Sequence, residues 1–257
     1  MSATHFRLAG PVEQRFRKLY SDMLCRFGIV PHIMRAQGAR FSVDPSDTID
    51  QSIAVYGMWE QAQLEDLAEL ATRRKIDAFI DAGANSGFYS IMFAMKNLAE
   101  RIIAFEPDPK NFARLMKNIE ANGLSNRIET VPLALGNAAS EVTMYQGAKW
   151  NLGESTIAVP EQTPQEVVFQ VQQARFDDLY RLSGKSLIVK IDVEGYEFET
   201  LSGFEKTLRD NSCYLQIEHY GERHEDLKSY MATLGYRYLR TEYIDLYFTN
   251  MFDVAAR

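Results

Sequence analysis

Three short segments of the chain concentrate residue types that can do chemistry. The first is Asp81-Ala-Gly-Ala-Asn-Ser-Gly87. Gly83 and Gly87 let a backbone turn tightly and approach a ligand closely. Asn85 or Ser86 can cap a following helix, whose N-terminus presents backbone N–H donors. The second is Lys190-Ile-Asp-Val-Glu-Gly195, continued by Tyr196 and Glu197. On a strand Lys190 and Asp192 point the same way, and Glu194 follows in the turn that Gly195 permits. Charged groups ending so apolar a run need partners or a function. Asp192 or Glu194 can take a proton from an acceptor or bind its hydroxyls. Lys190 can pair with either acid and lower its pKa. A structural ion-pair network is the competing reading. The third segment is Glu218-His219, where His219 offers a near-neutral base and Glu218 a hydroxyl-binding carboxylate. Asp192, Glu194, Glu218 and His219 together could also hold a divalent cation, with Asp192, Glu218 and His219 the leading set, though no tight ligand spacing supports one and none is expected.

The first loop tests what kind of ligand the chain takes. A dinucleotide fingerprint needs Gly-x-Gly-x-x-Gly, and the middle glycine, which lets a pyrophosphate approach, is missing after Gly83. The amino-acid end of S-adenosylmethionine needs no such approach. Backbone N–H groups can hold its carboxylate, and Asp81 can hold its ammonium directly or through water. Glu106 follows Gly87 by 19 residues, where a doubly wound fold places the carboxylate that accepts ribose hydroxyls.

These residues need strands and helices to position them. From Ile76 onward apolar runs alternate with helical patterns: strands at Ile76–Asp81, Arg101–Glu106, Arg127–Pro132, Leu187–Asp192 and Tyr214–His219, helices at Gly87–Leu98, Asn111–Asn122, Phe198–Arg209 and His224–Leu234. Repeated strand–helix units predict an α/β fold, a doubly wound, mostly parallel sheet with helices on both faces. Such sheets bind ligands beyond the carboxyl ends of their strands, where Asp81, Glu106, Asp192 and Glu218 stand. Strands Glu141–Tyr145 and Glu166–Ala174 flank an irregular stretch, residues 146–165. There Trp150 and Asn151 pair an aromatic platform with an amide suited to a sugar; a packed tryptophan is the equal alternative. The C-terminal stretch Tyr236–Thr249 reads as a hairpin around Thr241–Tyr243. Residues 12–36 read as one amphipathic helix, and 41–60 as short extended pieces.

Composition sets outer bounds. The 257 residues, 46% hydrophobic and 25% charged, describe a globular chain with a sizeable core. Two distant cysteines give no metal or redox spacing, which points to a reducing compartment. The first residues lack a signal-peptide pattern and no run spans a membrane, so the expected location is the cytoplasm. A net charge of −7 argues against nucleic acid as a partner. Residues 1–40 carry seven basic side chains against Glu13 and Asp22, a net of +5, which leaves −12 on the remainder. The chain divides on this basis into a basic helical N-terminal extension, 1–40, and a catalytic domain, 41–257. The basic segment is a solvated face or a contact for an anionic membrane or partner.

Taken together the motifs closely resemble the FkbM-type methyltransferase family. The matching pieces are the Asp81–Ser90 loop, Phe105-Glu-Pro-Asp-Pro109, Asn118-Ile-Glu-Ala-Asn122, Pro132-Leu-Ala-Leu-Gly136, Phe176-Asp-Asp-Leu179 and Lys190–Gly195. Their order and spacing agree over roughly residues 41–220. Gly57-Met-Trp-Glu60 resembles the family's Gly-x-Tyr-Glu segment. The resemblance implies a Rossmann-like class I methyltransferase fold. It implies methyl transfer from S-adenosylmethionine to a hydroxyl of a saccharide, glycolipid or other natural product, hence a small-molecule or glycan acceptor. It places Glu60, Asp81, Gly83, Asn85, Gly87, Phe88, Tyr89, Ser90, Glu106, Pro107, Ala134, Leu135 and Asp192 around the cofactor. The competing readings are an NAD-dependent oxidoreductase and a non-catalytic S-adenosylmethionine-binding protein.

Overall fold

The computed structural model describes residues 6–146, 155–157, 166–220 and 223–254. Trp150 and Asn151 lie outside the described residues. Helix α1 (Pro11–Arg26) precedes a hairpin, β1 (His32–Ala36) and β2 (Ala39–Val43), and two helices, α2 (Thr48–Tyr56) and α3 (Gln61–Arg73). Then come β3 (Ala78–Ala82), α4 (Phe88–Met95), β4 (Arg101–Phe105), α5 (Pro109–Ala121) and β5 (Ile128–Val131). A side sheet holds β6 (Ala134–Leu135), β7 (Ser140–Gln146), β8 (Ser155–Thr156) and β9 (Glu166–Ala174). The chain returns through α6 (Phe176–Leu179), β10 (Ser186–Ile191), α7 (Glu197–Gly203), α8 (Glu205–Asp210), β11 (Ser212–Glu218) and α9 (His224–Thr233). It closes with β12 (Arg237–Glu242) and β13 (Asp245–Thr249).

Among the described residues the main sheet has the order β12-β13-β11-β10-β3-β4-β5. The five strands from β11 to β5 pair in parallel, while the hairpin β12–β13 adds two antiparallel strands at one edge. Sequence order runs outward from β3 to β5 on one side and from β10 to β11 on the other. The order therefore reverses between β3 and β10, and a crevice opens past their carboxyl ends.

Strand alternation sorts the core into two layers. Phe79, Ile188, Tyr214 and Tyr247 join α3, α4, α5 and the β1–β2 hairpin on one face. Ile80, Val189, Ile191 and Leu215 join α6 through α9 on the other. Phe79 stacks on Phe93 of α4 with ring centroids 3.8 Å apart, and burying one such ring contributes roughly 1.5–3 kcal/mol.

The structure differs from the sequence reading in three places. The expected helix over 12–36 ends at Arg26, because Gly28 (φ 69°) turns the chain into the hairpin. Residues Met34, Ala36, Ala39 and Phe41 of that hairpin belong to the core, and residue 40 lies within β2. The stretch 41–60 contains α2, capped by the Asp47 carboxylate accepting from the Asp50 N–H. The single helix expected over 198–209 is two, divided at Phe204, whose ring stacks on Phe176 at 4.2 Å.

Candidate active site

A cleft lies at the crevice between β3 and β10. The ends of successive strands supply its wall: Gly83 and Asn85 after β3, Glu106 and Pro107 after β4, Ala134 and Leu135 of β6, and Asp192 and Glu194 after β10. Met144 and Ile157 close it from the side sheet.

The loop after β3 is held where it is by three contacts. Gly83 and Ala84 donate their N–H groups to the Phe105 carbonyl. The Asp192 N–H donates to the Ala82 carbonyl at 2.9 Å. Gly83 adopts φ +85°, and a Cβ on it would stand 1.7 Å from the Asp192 carbonyl oxygen. Only glycine fits there, so the two loops that form the cleft touch backbone to backbone.

Glu106 is buried, and both its oxygens already accept backbone N–H groups, Asn85 at 2.7 Å and Asp108 at 2.9 Å. Burial pushes its carboxyl up to about 8 against the pull of those hydrogen bonds. Arg114 of α5 braces the same loop, donating to Asn85 Oδ1 (2.6 Å), Asp50 Oδ2 (2.5 Å) and Asp47 Oδ2 (3.2 Å). Sequence reasoning missed Arg114, Asp47 and Asp50. Asp47 and Asp50 stand at the start of α2, 67 and 64 positions from Arg114, and no local motif marks them.

Behind the cleft, the row Asp81, Lys190 and Gln216 crosses three strands in register. Lys190 Nζ donates to Asp192 Oδ2 at 2.6 Å and sits 4.9 Å over the Tyr89 ring. Burial disfavours its charge, but Asp192, Glu60, Asp81 and Glu218 outweigh that and raise its pKa. The acids respond in the opposite sense. Burial raises Glu60 to about 7 and Glu218 to about 9, the latter helped by Asp192, and it raises Asp81 as well.

Several residues expected at the ligand stand behind the cleft rather than in its wall. Asp81 is buried and accepts from Ser90 Oγ at 2.6 Å. Tyr89 donates to Glu60 Oε2 at 2.7 Å. Gly87 packs against Leu115, and Phe88 against Phe41. These residues shape the loop and its support.

The expected reaction cluster divides. Lys190, Asp192, Glu194 and Glu218 come together, and one oxygen from each of the three acids lies within 4.8 Å of the others. Among the described residues this acidic trio is the group that could hold a cation, and His219 is not part of it. His219 follows Glu218 in the chain and so turns to the opposite face of the sheet. There its Nδ1 lies 2.8 Å from Glu197 Oε2, while Glu197 Oε1 accepts the Gly195 N–H. A carboxylate only accepts, so the Nδ1 carries the proton in this pair. Glu197 lay inside the quoted motif, but its role as the partner of His219 was not read from it.

A family model for the methyltransferase FkbM domain matches residues 81–238, more than half of the chain. This chain belongs to the FkbM methyltransferase family. The matched region begins at the Asp81 strand end and takes in both clusters of the site. Two relatives of this FkbM-family protein are Methyltransferase sdnD of Sordaria araneosa, 29% identical over 171 residues, and Methyltransferase 1 of Beauveria bassiana, 28% identical over 151. The alignments cover 55% and 50% of this chain, and the chain spans 64% and 59% of those relatives' lengths. The crystal structure of Methyltransferase FkbM from Methylobacillus flagellatus KT shares the fold: TM-score 0.51 at 18% identity, over 94% of this chain and 56% of that one. The doubly wound sheet expected from the strand–helix alternation and the Rossmann-like methyltransferase fold implied by the family resemblance are therefore present.

Proposed function

We propose that this FkbM-family protein transfers a methyl group from S-adenosylmethionine to a hydroxyl of a saccharide, glycolipid or other natural product. The observation that carries the reading is the backbone contact between Gly83 and Asp192. It sets a cofactor-type loop directly against an acidic, lysine-paired strand end within one cleft. The residues present fit the cofactor. Ionised, Glu106 spends one lone pair of each oxygen on backbone N–H groups and keeps capacity for two ribose hydroxyls. Pro107, Ala134 and Leu135 offer an apolar wall for an adenine ring. S-adenosylmethionine, when bound, supplies a methyl group already activated on a sulfonium. The chain must therefore align an acceptor oxygen and receive its proton. Asp192 holds Lys190 with one oxygen and keeps the other for that proton. Glu218, raised to about 9, carries a proton at neutral pH and donates to an acceptor oxygen. Lys190 balances the charge left on the acids. The oxygen-rich rim supports a polyhydroxylated acceptor.

Calorimetric titration with S-adenosylmethionine tests the cofactor half. Binding by the native chain and its loss in Glu106→Ala are expected; no binding by the native chain removes the reading. Labelled methyl transfer to a panel of glycans and glycolipids, with mass spectrometry of the product, tests the acceptor half.

A further inference from the structure

Helix α1 faces the opposite way from an ordinary surface helix. On its inner side two polar residues, Arg17 and Ser21, meet the body of the chain. Arg17 donates from Nε to the Ala54 carbonyl and from Nη2 to that of Ile53, at 2.9 and 2.8 Å. Ser21 Oγ meets His32 Nε2 at 3.1 Å in the buried interface. Six apolar residues turn outward. Val12, Phe16, Leu19, Tyr20, Met23 and Phe27 all stand exposed, Phe16 by 69% and Phe27 by 75%. At helical spacing these six fall in one sector about 100° wide. The stripe continues past the helix through the exposed Ile29, Val30 and Ile33. A soluble surface rarely leaves so continuous an apolar face bare.

Charge says what covers it. Arg15 and Arg26 border one long side of the stripe, and the exposed Arg35 follows Ile33 by two residues on the same face of β1. Of the two acids on the helix, Glu13 pairs with Arg17 and Asp22 with Lys18. Residues 1–40 carry a net +5, while the rest of the chain carries −12. We propose that α1 lies flat on an anionic membrane surface, with its apolar stripe at the headgroup boundary and Arg15, Arg26 and Arg35 against lipid phosphates. A second copy of the chain fits less well. Pairing two such stripes antiparallel would bring their arginine rims together. The acidic remainder is repelled by the same lipids, which turns α1 toward the surface and the rest away. Among the described residues no helix is long and apolar enough to cross a membrane, so the contact is peripheral. This inference stands apart from methyl transfer.

The test is co-sedimentation of the full chain with vesicles of phosphatidylcholine alone or with about a third phosphatidylglycerol. The native chain is expected to sediment with the anionic vesicles, less so at high salt. Phe16→Glu combined with Met23→Glu is expected to weaken that binding about tenfold or more. Arg15→Ala with Arg26→Ala should remove the preference for anionic lipid. Hydrogen exchange on the unmodified chain should show vesicle-dependent protection over residues 12–33. A native chain that stays in the supernatant with anionic vesicles overturns the proposal. So does a double-glutamate variant that binds unchanged, or a solution dimer that the same substitutions dissolve, which would assign the stripe to a second copy.

Discussion

The Asp192 carbonyl oxygen occupies the space in which any side chain on Gly83 would begin, 1.7 Å from the ideal Cβ position. The cofactor-type loop and the acidic strand end are therefore one mechanical unit. A change in either displaces the other. Gly83→Ala must move backbone and also strain a φ of +85°. It is expected to cost about 2 kcal/mol or more and to abolish S-adenosylmethionine binding. Gly87→Ala meets the flexible end of Leu115 instead and should cost less. Thermal melts and cofactor titration of both variants check this order.

Lys190 is the cation that four neighbouring carboxyl groups share. Lys190→Met leaves those acids uncompensated in a buried setting and is expected to cost about 3–5 kcal/mol. Adding Asp192→Asn should recover part of that loss. Denaturant unfolding of the two single variants and the double one gives the coupling directly. Strict additivity would contradict a shared cluster.

Stability should fall as pH rises. Burial raises Asp50 and Glu60 to about 7, Glu106 to about 8 and Glu218 to about 9, from 3.8 for aspartate and 4.5 for glutamate. The folded chain thus holds more protons than the unfolded chain between those two sets of values. The stabilisation is complete below the unfolded values and is lost as pH climbs through the folded ones. The melting temperature is expected to be highest near pH 5 and to drop through pH 7–9. Glu106→Gln and Glu218→Gln should each flatten that drop.

Asp192 and His219 should behave differently. Asp192 lines the cleft and can receive the acceptor's proton, so Asp192→Asn is expected to lower kcat by about 100-fold or more with a smaller change in cofactor affinity. His219 is paired with Glu197 on the other face of the sheet. Its replacement by alanine should lower stability while kcat per folded molecule stays near that of the native chain. Steady-state kinetics normalised to folded protein separates the two.

The acidic trio invites a metal test. Lys190 already compensates Asp192, and burial beside Asp192 favours the neutral form of Glu218. Methyl transfer is therefore expected to survive treatment with a chelator. Loss of activity that magnesium restores would assign Asp192, Glu194 and Glu218 to a cation instead.

Much of the frame was legible because its causes are local. Apolar runs of strand length alternating with helical patterns announce a parallel sheet, and the acids at the run ends mark its carboxyl edge. The Gly83–Gly87 loop was legible because few residues other than glycine tolerate such turns. Helix ends were less so. Gly28 ended α1 ten residues before the apolar pattern did, and the buried Phe204 divided α7 from α8.

The sequence by itself determined which residues share a strand end, a loop or a helix face. Period and glycine placement are properties of neighbouring residues, and they survive without knowledge of the rest of the chain. Tertiary structure decided which way each face looks and which distant groups meet. The apolar stripe of α1 was readable as a stripe, but its outward direction depends on Arg17 finding the end of α2. Asp81 was readable as a strand-end acid, but its place behind the cleft depends on Ser90 and Lys190. Arg114 reaches Asn85 across 29 positions and Asp47 across 67. Pairings of that range are set by packing and by the need to satisfy buried charge, and no local pattern encodes them.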